Sequence, residues 1–137
     1  MKLVRVIDGL YIRGSIQDWV RPSDLEGTGI RRVYALHGPG QPMLRGWSGY
    51  RHFPMSDGRR IHANAHDVAD LVVKDVLSGR PVVVLCLQGR NRSGLVVALA
   101  LRSIMSVSGA EAARMVREVR PRALSNPAFS RHLEALP

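Results

Sequence analysis

Pro81-Val82-Val83-Val84-Leu85-Cys86-Leu87 runs directly into Gln88-Gly89-Arg90-Asn91-Arg92-Ser93-Gly94. The first seven residues are apolar at odd and even positions alike, so a strand built from them is buried on both faces, as a central parallel strand is. From Ser93 to Val107, Leu95, Val96, Ala98, Leu99, Leu101 and Ile104 recur densely enough for a helix that is itself largely buried. Buried strand, tight loop and buried helix together predict an α/β sandwich with this strand in the middle of its sheet.

The flanking sequence supplies the other layers. Lys2 to Ile7 reads as a strand, Asp8-Gly9 as a hairpin turn, and Leu10-Tyr11-Ile12 as the returning strand. Pro22 to Glu26 predicts a short helix closed by Gly27 and Gly29, and residues 30–36 form the next strand. His37 to Trp47 holds three glycines and two prolines and reads as an exposed loop over a site. Tyr50 to Pro54 is a further strand. Asn64, with Asp67 three residues on, is the expected N-cap of a helix whose Ala65, Val68, Ala69, Val72, Val73 and Val76 share a face, and Gly79 ends it. Ser108 and Glu111 form a capping box for a helix to about Val119, and Asn126-Pro127 opens the last helix. The expected fold class is α/β, with a central mixed, mainly parallel sheet flanked by helices, in a single domain over residues 1–137.

Composition narrows the function classes. A chain of 137 residues with 45% hydrophobic and 23% charged residues can bury a core, which excludes disordered and collagen-like classes. The longest apolar runs, 82–87 and 95–101, are far shorter than the roughly 20 residues of a membrane span, and Arg5 and Asp8 interrupt any secretory h-region. The expected location is therefore cytoplasmic. One cysteine, Cys86, permits neither an internal disulfide nor a thiolate metal cluster. The net charge of +9 points to an anionic partner: a phosphorylated substrate, nucleic acid or a membrane surface. All but Lys2 and Lys74 of the 20 Lys and Arg residues are arginine, scattered along the chain, which disfavours a dedicated nucleic-acid tract and is equally what a biased genome composition produces.

The loop carries the chemistry. A segment that leaves a buried strand and enters a helix N-terminus aims consecutive backbone amides inward, and with the helix dipole these cradle a phosphate dianion. Leu87, Gln88, Gly89, Arg90 and Asn91 would supply that cradle, with Gly89 allowing the curvature. Arg92, six positions after Cys86, would grip two phosphate oxygens with its planar fork. Cys86 then lies at the floor, in a field that favours the thiolate, and Ser93 can donate a hydrogen bond to it. The competing reading is an inert buried cysteine. The histidines at 37, 52, 62, 66 and 132 read as solvent-facing. His62 and His66 have the i, i+4 spacing of a metal pair but no third ligand, so neither a metal nor a cofactor is expected.

This loop resembles the Cys-x5-Arg-Ser/Thr signature of the cysteine-based protein tyrosine phosphatase superfamily, and the wider chain is similar to its small dual-specificity subgroup. Phe53-Pro54-Met55-Ser56-Asp57-Gly58 resembles the family's acid loop, and Arg120-Pro121-Arg122-Ala123, with Asn126 and Phe129, its C-terminal segment. The resemblance implies that Cys86 is the nucleophile and that Asp57 protonates the leaving group. Taken alone, Asp57 reads as a turn aspartate, while Asp8, Asp18 and Asp24 fit turn and helix-start roles. The family commonly has histidine before the cysteine; Leu85 removes that hydrogen bond here. The implied activity is hydrolysis of phosphomonoesters, on protein phosphotyrosine, phosphoserine or phosphothreonine. The alternatives are an RNA 5′-phosphatase, because 89–94 also resembles the Gly-x-Asn-Arg-Thr-Gly of RNA triphosphatases, a phosphoinositide phosphatase using Arg90, a rhodanese-like sulfur transferase, and a phosphate-binding module without turnover.

Overall fold

The computed structural model describes residues 3–13 and 19–137; Asp18 lies outside them. Five strands form one sheet: β1 (Leu3–Ile7), β2 (Leu10–Arg13), β3 (Arg32–Ala35), β4 (Tyr50–His52) and β5 (Val82–Leu85), in the order β1-β2-β5-β3-β4. β1 and β2 are an antiparallel hairpin around Asp8-Gly9, where Gly9 takes φ +82°. Every other pairing is parallel. β5 is the middle strand, as its two-sided apolar character requires. Val82 and Val84 enter one core cluster, Val83 and Leu85 the other, and all four are fully buried.

The two faces are covered unequally. α2 (Ala65–Leu77), α3 (Arg92–Met105), α4 (Gly109–Val119) and α5 (Pro127–Glu134) all pack on the face of Val82 and Val84, whereas among the described residues the other face is covered by the short α1 (Pro22–Leu25), Val20, Ile30, Leu44 and Trp47. α3 runs against the sheet with residues 93–101 buried, which explains why it lacks a polar face. No single helix among the described residues is long and apolar enough to cross a membrane.

Several local expectations need correction. Asn64 already has helical dihedrals, φ −80° and ψ −8°, so its side chain does not reach the free amides of α2 and caps nothing. The glycine- and proline-rich segment is exposed only in part: Gly38, Pro39, Met43, Arg45 and Gly46 face solvent, but Leu44 fills the smaller core, and the buried Gln41 accepts a hydrogen bond from Val20 N at 2.6 Å and donates its backbone amide to Tyr50 Oη at 2.8 Å. His37 is not solvent-facing but fully buried. Asn126 caps the last helix as expected, accepting from Ala128 N and Phe129 N, but the capping box of α4 forms only by half: Ser108 accepts from Glu111 N, while the Glu111 carboxylate turns to Arg114.

Candidate active site

Cys86 is the first residue beyond β5, buried, with its side chain in the larger core. The chain turns through 87–91 and enters α3 at Arg92. Gly89 makes the turn at φ +63°, a conformation that costs an L side chain about 1–2 kcal/mol. Asn91 occupies the N-cap position of α3 but does not cap it, so the first amides of the helix stay available to an anion.

The loop's carbonyls are held outward by a remote segment. Arg120, at the end of α4, donates from Nε to Gly89 O at 2.9 Å and from Nη2 to Gln88 O at 2.8 Å, and Leu124 N donates to Arg90 O at 3.3 Å. With carbonyls committed on that side, the amides of the same peptide units face the opposite way, toward the cavity. Burial and the nearby Arg90 hold the Arg120 guanidinium below its usual pKa, while Cys86 opposes the shift. A cation facing Cys86 behind the loop adds to the field that favours an anion in front of it.

A cavity of about 170 Å³ opens over the loop, lined by Asp57, Cys86, Leu87, Gln88, Arg90, Asn91 and Arg92. Arg92 reaches the 53–58 segment, its Nη1 donating to Met55 O at 3.3 Å. Its Nε is buried without a protein partner, as is Ser93 Oγ. Unpaired buried donors of this kind cost about 1–3 kcal/mol each unless a ligand or solvent takes them. An oxyanion beside Arg92 and a thiolate beside Ser93 are acceptors of the right chemistry.

Asp57 is clasped. Asn91 Nδ2 donates to Asp57 Oδ2 at 3.0 Å, and Asn126 Nδ2 donates to Asp57 Oδ1 at 2.7 Å and to Gly58 O at 2.8 Å. Asn91 Oδ1 in turn accepts from Asn126 N at 2.9 Å. The structure thus brings together Cys86, Arg90, Asn91, Arg92 and Asp57, with the Asn91 side chain on the Asp57 loop. Asp8 and Asp24 are elsewhere, Asp8 paired with Arg5 and Asp24 accepting from Arg21 N at 2.9 Å. His62 and His66 form no helical pair, because α2 begins at Ala65; His66 Nε2 instead lies 2.8 Å from His132 Nε2.

The sequence marks Arg120 as part of a family-like segment and Asn126 as part of it and as the start of the last helix, but gives neither a contact with the loops. Their partners are more than 30 positions away, and no periodicity reports such a distance. His37 was also misread. Its Nε2 donates to Gly40 O at 2.6 Å, which leaves Nδ1 bare and buried, and burial, followed by Arg92 and His52, holds its pKa below the usual histidine value against the opposing Gly40 contact.

No family model matches the chain, and no curated protein matches it in sequence. Solved structures do. Human DUSP28 superposes with a TM-score of 0.80 at 26% identity, over 96% of this chain and 90% of that one. A mouse putative dual specificity phosphatase, complexed with zinc tungstate, gives 0.80 and 26% over 96% of this chain and 84% of its own. PTPMT1 in complex with PI(5)P shares the fold, with a TM-score of 0.77 at 17% identity over 96% of this chain and 92% of that chain.

Proposed function

We propose, for a chain that is a member of the small dual-specificity-like subgroup of the cysteine-based protein tyrosine phosphatase superfamily and hence a phosphatase-type hydrolase, that residues 1–137 form one catalytic unit hydrolysing phosphomonoesters of proteins through a cysteinyl-phosphate. The observation that carries this reading is the cavity itself, whose lining brings together Cys86, Arg92 and Asp57.

In the first step Cys86 Sγ attacks phosphorus as the bond to the ester oxygen breaks, and Asp57 delivers its proton to the departing oxygen. In the second, water attacks phosphorus and gives a proton to the Asp57 carboxylate, while the S–P bond breaks and the electron pair returns to sulfur. Ser93 Oγ donates to the departing thiolate. The amides of 87–91 and the Arg92 fork bind the equatorial oxygens in both transition states. No aromatic ring lines the cavity among the described residues, so a phosphotyrosine ring gains no stacking advantage over phosphoserine or phosphothreonine. That supports dual specificity. Arg90, also in the lining, favours substrates with a second acidic group near the first, the feature a phosphoinositide or an RNA 5′-end would share.

Cys86→Ser should reduce turnover of phosphopeptides below about a hundredth of wild type, and Asp57→Asn should slow phosphoserine peptides far more than an activated aryl phosphate, whose leaving group needs little protonation. Residual activity in Cys86→Ser above that level would overturn the nucleophile. Equal losses on both substrates for Asp57→Asn would overturn the acid.

A further inference from the structure

A second concavity lies between α2 and the strands β3 and β4 and shares no lining residue with the Cys86 cavity. Strand alternation explains its character. On β3, Val33 and Ala35 enter the smaller core, so Arg32 and Tyr34 face the helices. On β4, Tyr50 joins the smaller core, which puts Arg51, and Phe53 just beyond, on the helix side. Positions facing a covering helix are normally apolar, and breaks in that pattern concentrate at functional sites. Here two of the four positions are arginine. α2 contributes Leu71, Lys74 and Asp75 to the opposite wall, Arg80 closes one end, and the space between measures about 320 Å³.

Four cations meet one carboxylate in this slot. Asp75 is buried and already engaged: it accepts from Tyr34 Oη at 2.6 Å and pairs with Arg32 at 3.5 Å and Arg80 at 3.8 Å. Arg51 donates through Nη1 to the carbonyls of Ser48 and Tyr50, which carry no charge. Neither Arg51 nor Lys74 is among the ion pairs of the described residues. Like charges around a concavity repel one another, and a multiply charged anion relieves that repulsion while guanidinium forks match phosphate oxygens. The rest of the slot is apolar. Tyr34 and Phe53 stack with centroids 6.0 Å apart, and Leu71, across from them, is 42% exposed. The volume is at the lower end of the roughly 300–1,000 Å³ of small-molecule cavities.

We propose that this slot is a second ligand site, taking a small phosphate ester with an aromatic ring, of mononucleotide size. The phosphate lies against Arg51, Lys74 and Arg80, and the ring between Phe53 and Leu71.

The test is an amide-resolved NMR titration of the Cys86→Ser protein, which cannot turn the probe over, with adenosine monophosphate, inorganic phosphate and adenosine in separate arms. Adenosine monophosphate should shift the amides of Arg51, Phe53, Leu71 and Lys74 saturably, phosphate should do so more weakly and adenosine hardly at all. Arg51→Gln with Lys74→Gln should weaken the nucleotide about tenfold or more; Lys74→Gln alone, at an exposed helix position, carries the same test should the edge strand not tolerate the first change. Shifts confined to 87–92 would mean that only the Cys86 cavity binds the anion, and would overturn the proposal. Phosphate binding as tightly as the nucleotide would overturn the aromatic part. Unchanged nucleotide affinity in a double variant that self-associates would show that the inward arginines only protect the edge strand from pairing.

Discussion

Asn126 performs two tasks with the two ends of one amide. Its Oδ1 caps α5, while its Nδ2 holds Asp57 and Gly58. The two tasks can be separated, because aspartate caps a helix about as well as asparagine but cannot donate and brings a like charge to Asp57. Asn126→Asp is expected to keep thermal stability within about 0.5 kcal/mol of wild type while slowing phosphoserine peptides about tenfold, with an activated aryl phosphate largely spared. Asn126→Ala should lose about 1 kcal/mol of stability as well. Parallel thermal melts and leaving-group comparisons check both. If Asn126→Asp slows both substrate types alike, Asn126 does not act by positioning Asp57.

At the scale of elements, the site is a joint between β5 and α3 that the C-terminal end of α4 braces. Arg120 satisfies two loop carbonyls that would otherwise compete to turn inward. Arg120→Ala should therefore reduce kcat on an activated aryl phosphate by about tenfold to a hundredfold, since misaimed amides lose transition-state oxygens, while α4 itself stays folded. Circular dichroism beside the rate measurement distinguishes this from general unfolding, and an unchanged kcat would show that the loop keeps its shape unaided. The other end of α3 offers a gain. Ser106 terminates it at φ +53°, a left-handed conformation that glycine adopts freely. Ser106→Gly is expected to stabilise the protein by about 0.5–1 kcal/mol net of the greater freedom of glycine in the unfolded chain. Denaturant titration reads this directly, and a destabilisation would mean that the serine side chain contributes more than the backbone strain costs.

Across the whole molecule, two histidines couple stability to pH. Burial foremost holds both His37 and His132 below the usual histidine value near 6.5, Arg92 and His52 adding to it at His37 and His66 at His132. Between that value and their lowered folded-state values, the unfolded chain binds more protons than the folded one. Stability is therefore full above about pH 6.5 and declines as pH falls through that window. Melting temperatures from pH 8 to pH 5 should show the decline, and His37→Gln, which can still donate to Gly40 O, should flatten it. Identical slopes for wild type and His37→Gln would remove His37 from the coupling.

Much of the architecture was legible before any coordinates. Residues 82–85 form the two-sided central strand that their unbroken apolar run predicts, because a residue's partition between water and core depends on its own side chain, whereas Cys86 and Leu87, which the same run includes, lie past the strand end and Leu87 is exposed. That Cys86, Arg92 and the turn between them lie together was legible because they are neighbours in the chain, between a buried strand and the helix that follows it. What the fold alone decided is everything that depends on long-range apposition. The clasp of Asn91 and Asn126 on Asp57 and the brace of Arg120 on 88–89 join segments that only packing brings together. The burial of His37 and Gln41 in a segment rich in glycine and proline followed from the thin cover on that face of the sheet, which draws the loop into the core. The slot between α2 and β4 arose likewise, because Arg32 and Arg51 come onto one face only through a strand register that sets Arg51 beside Tyr34, a property of two strands and not of either sequence by itself.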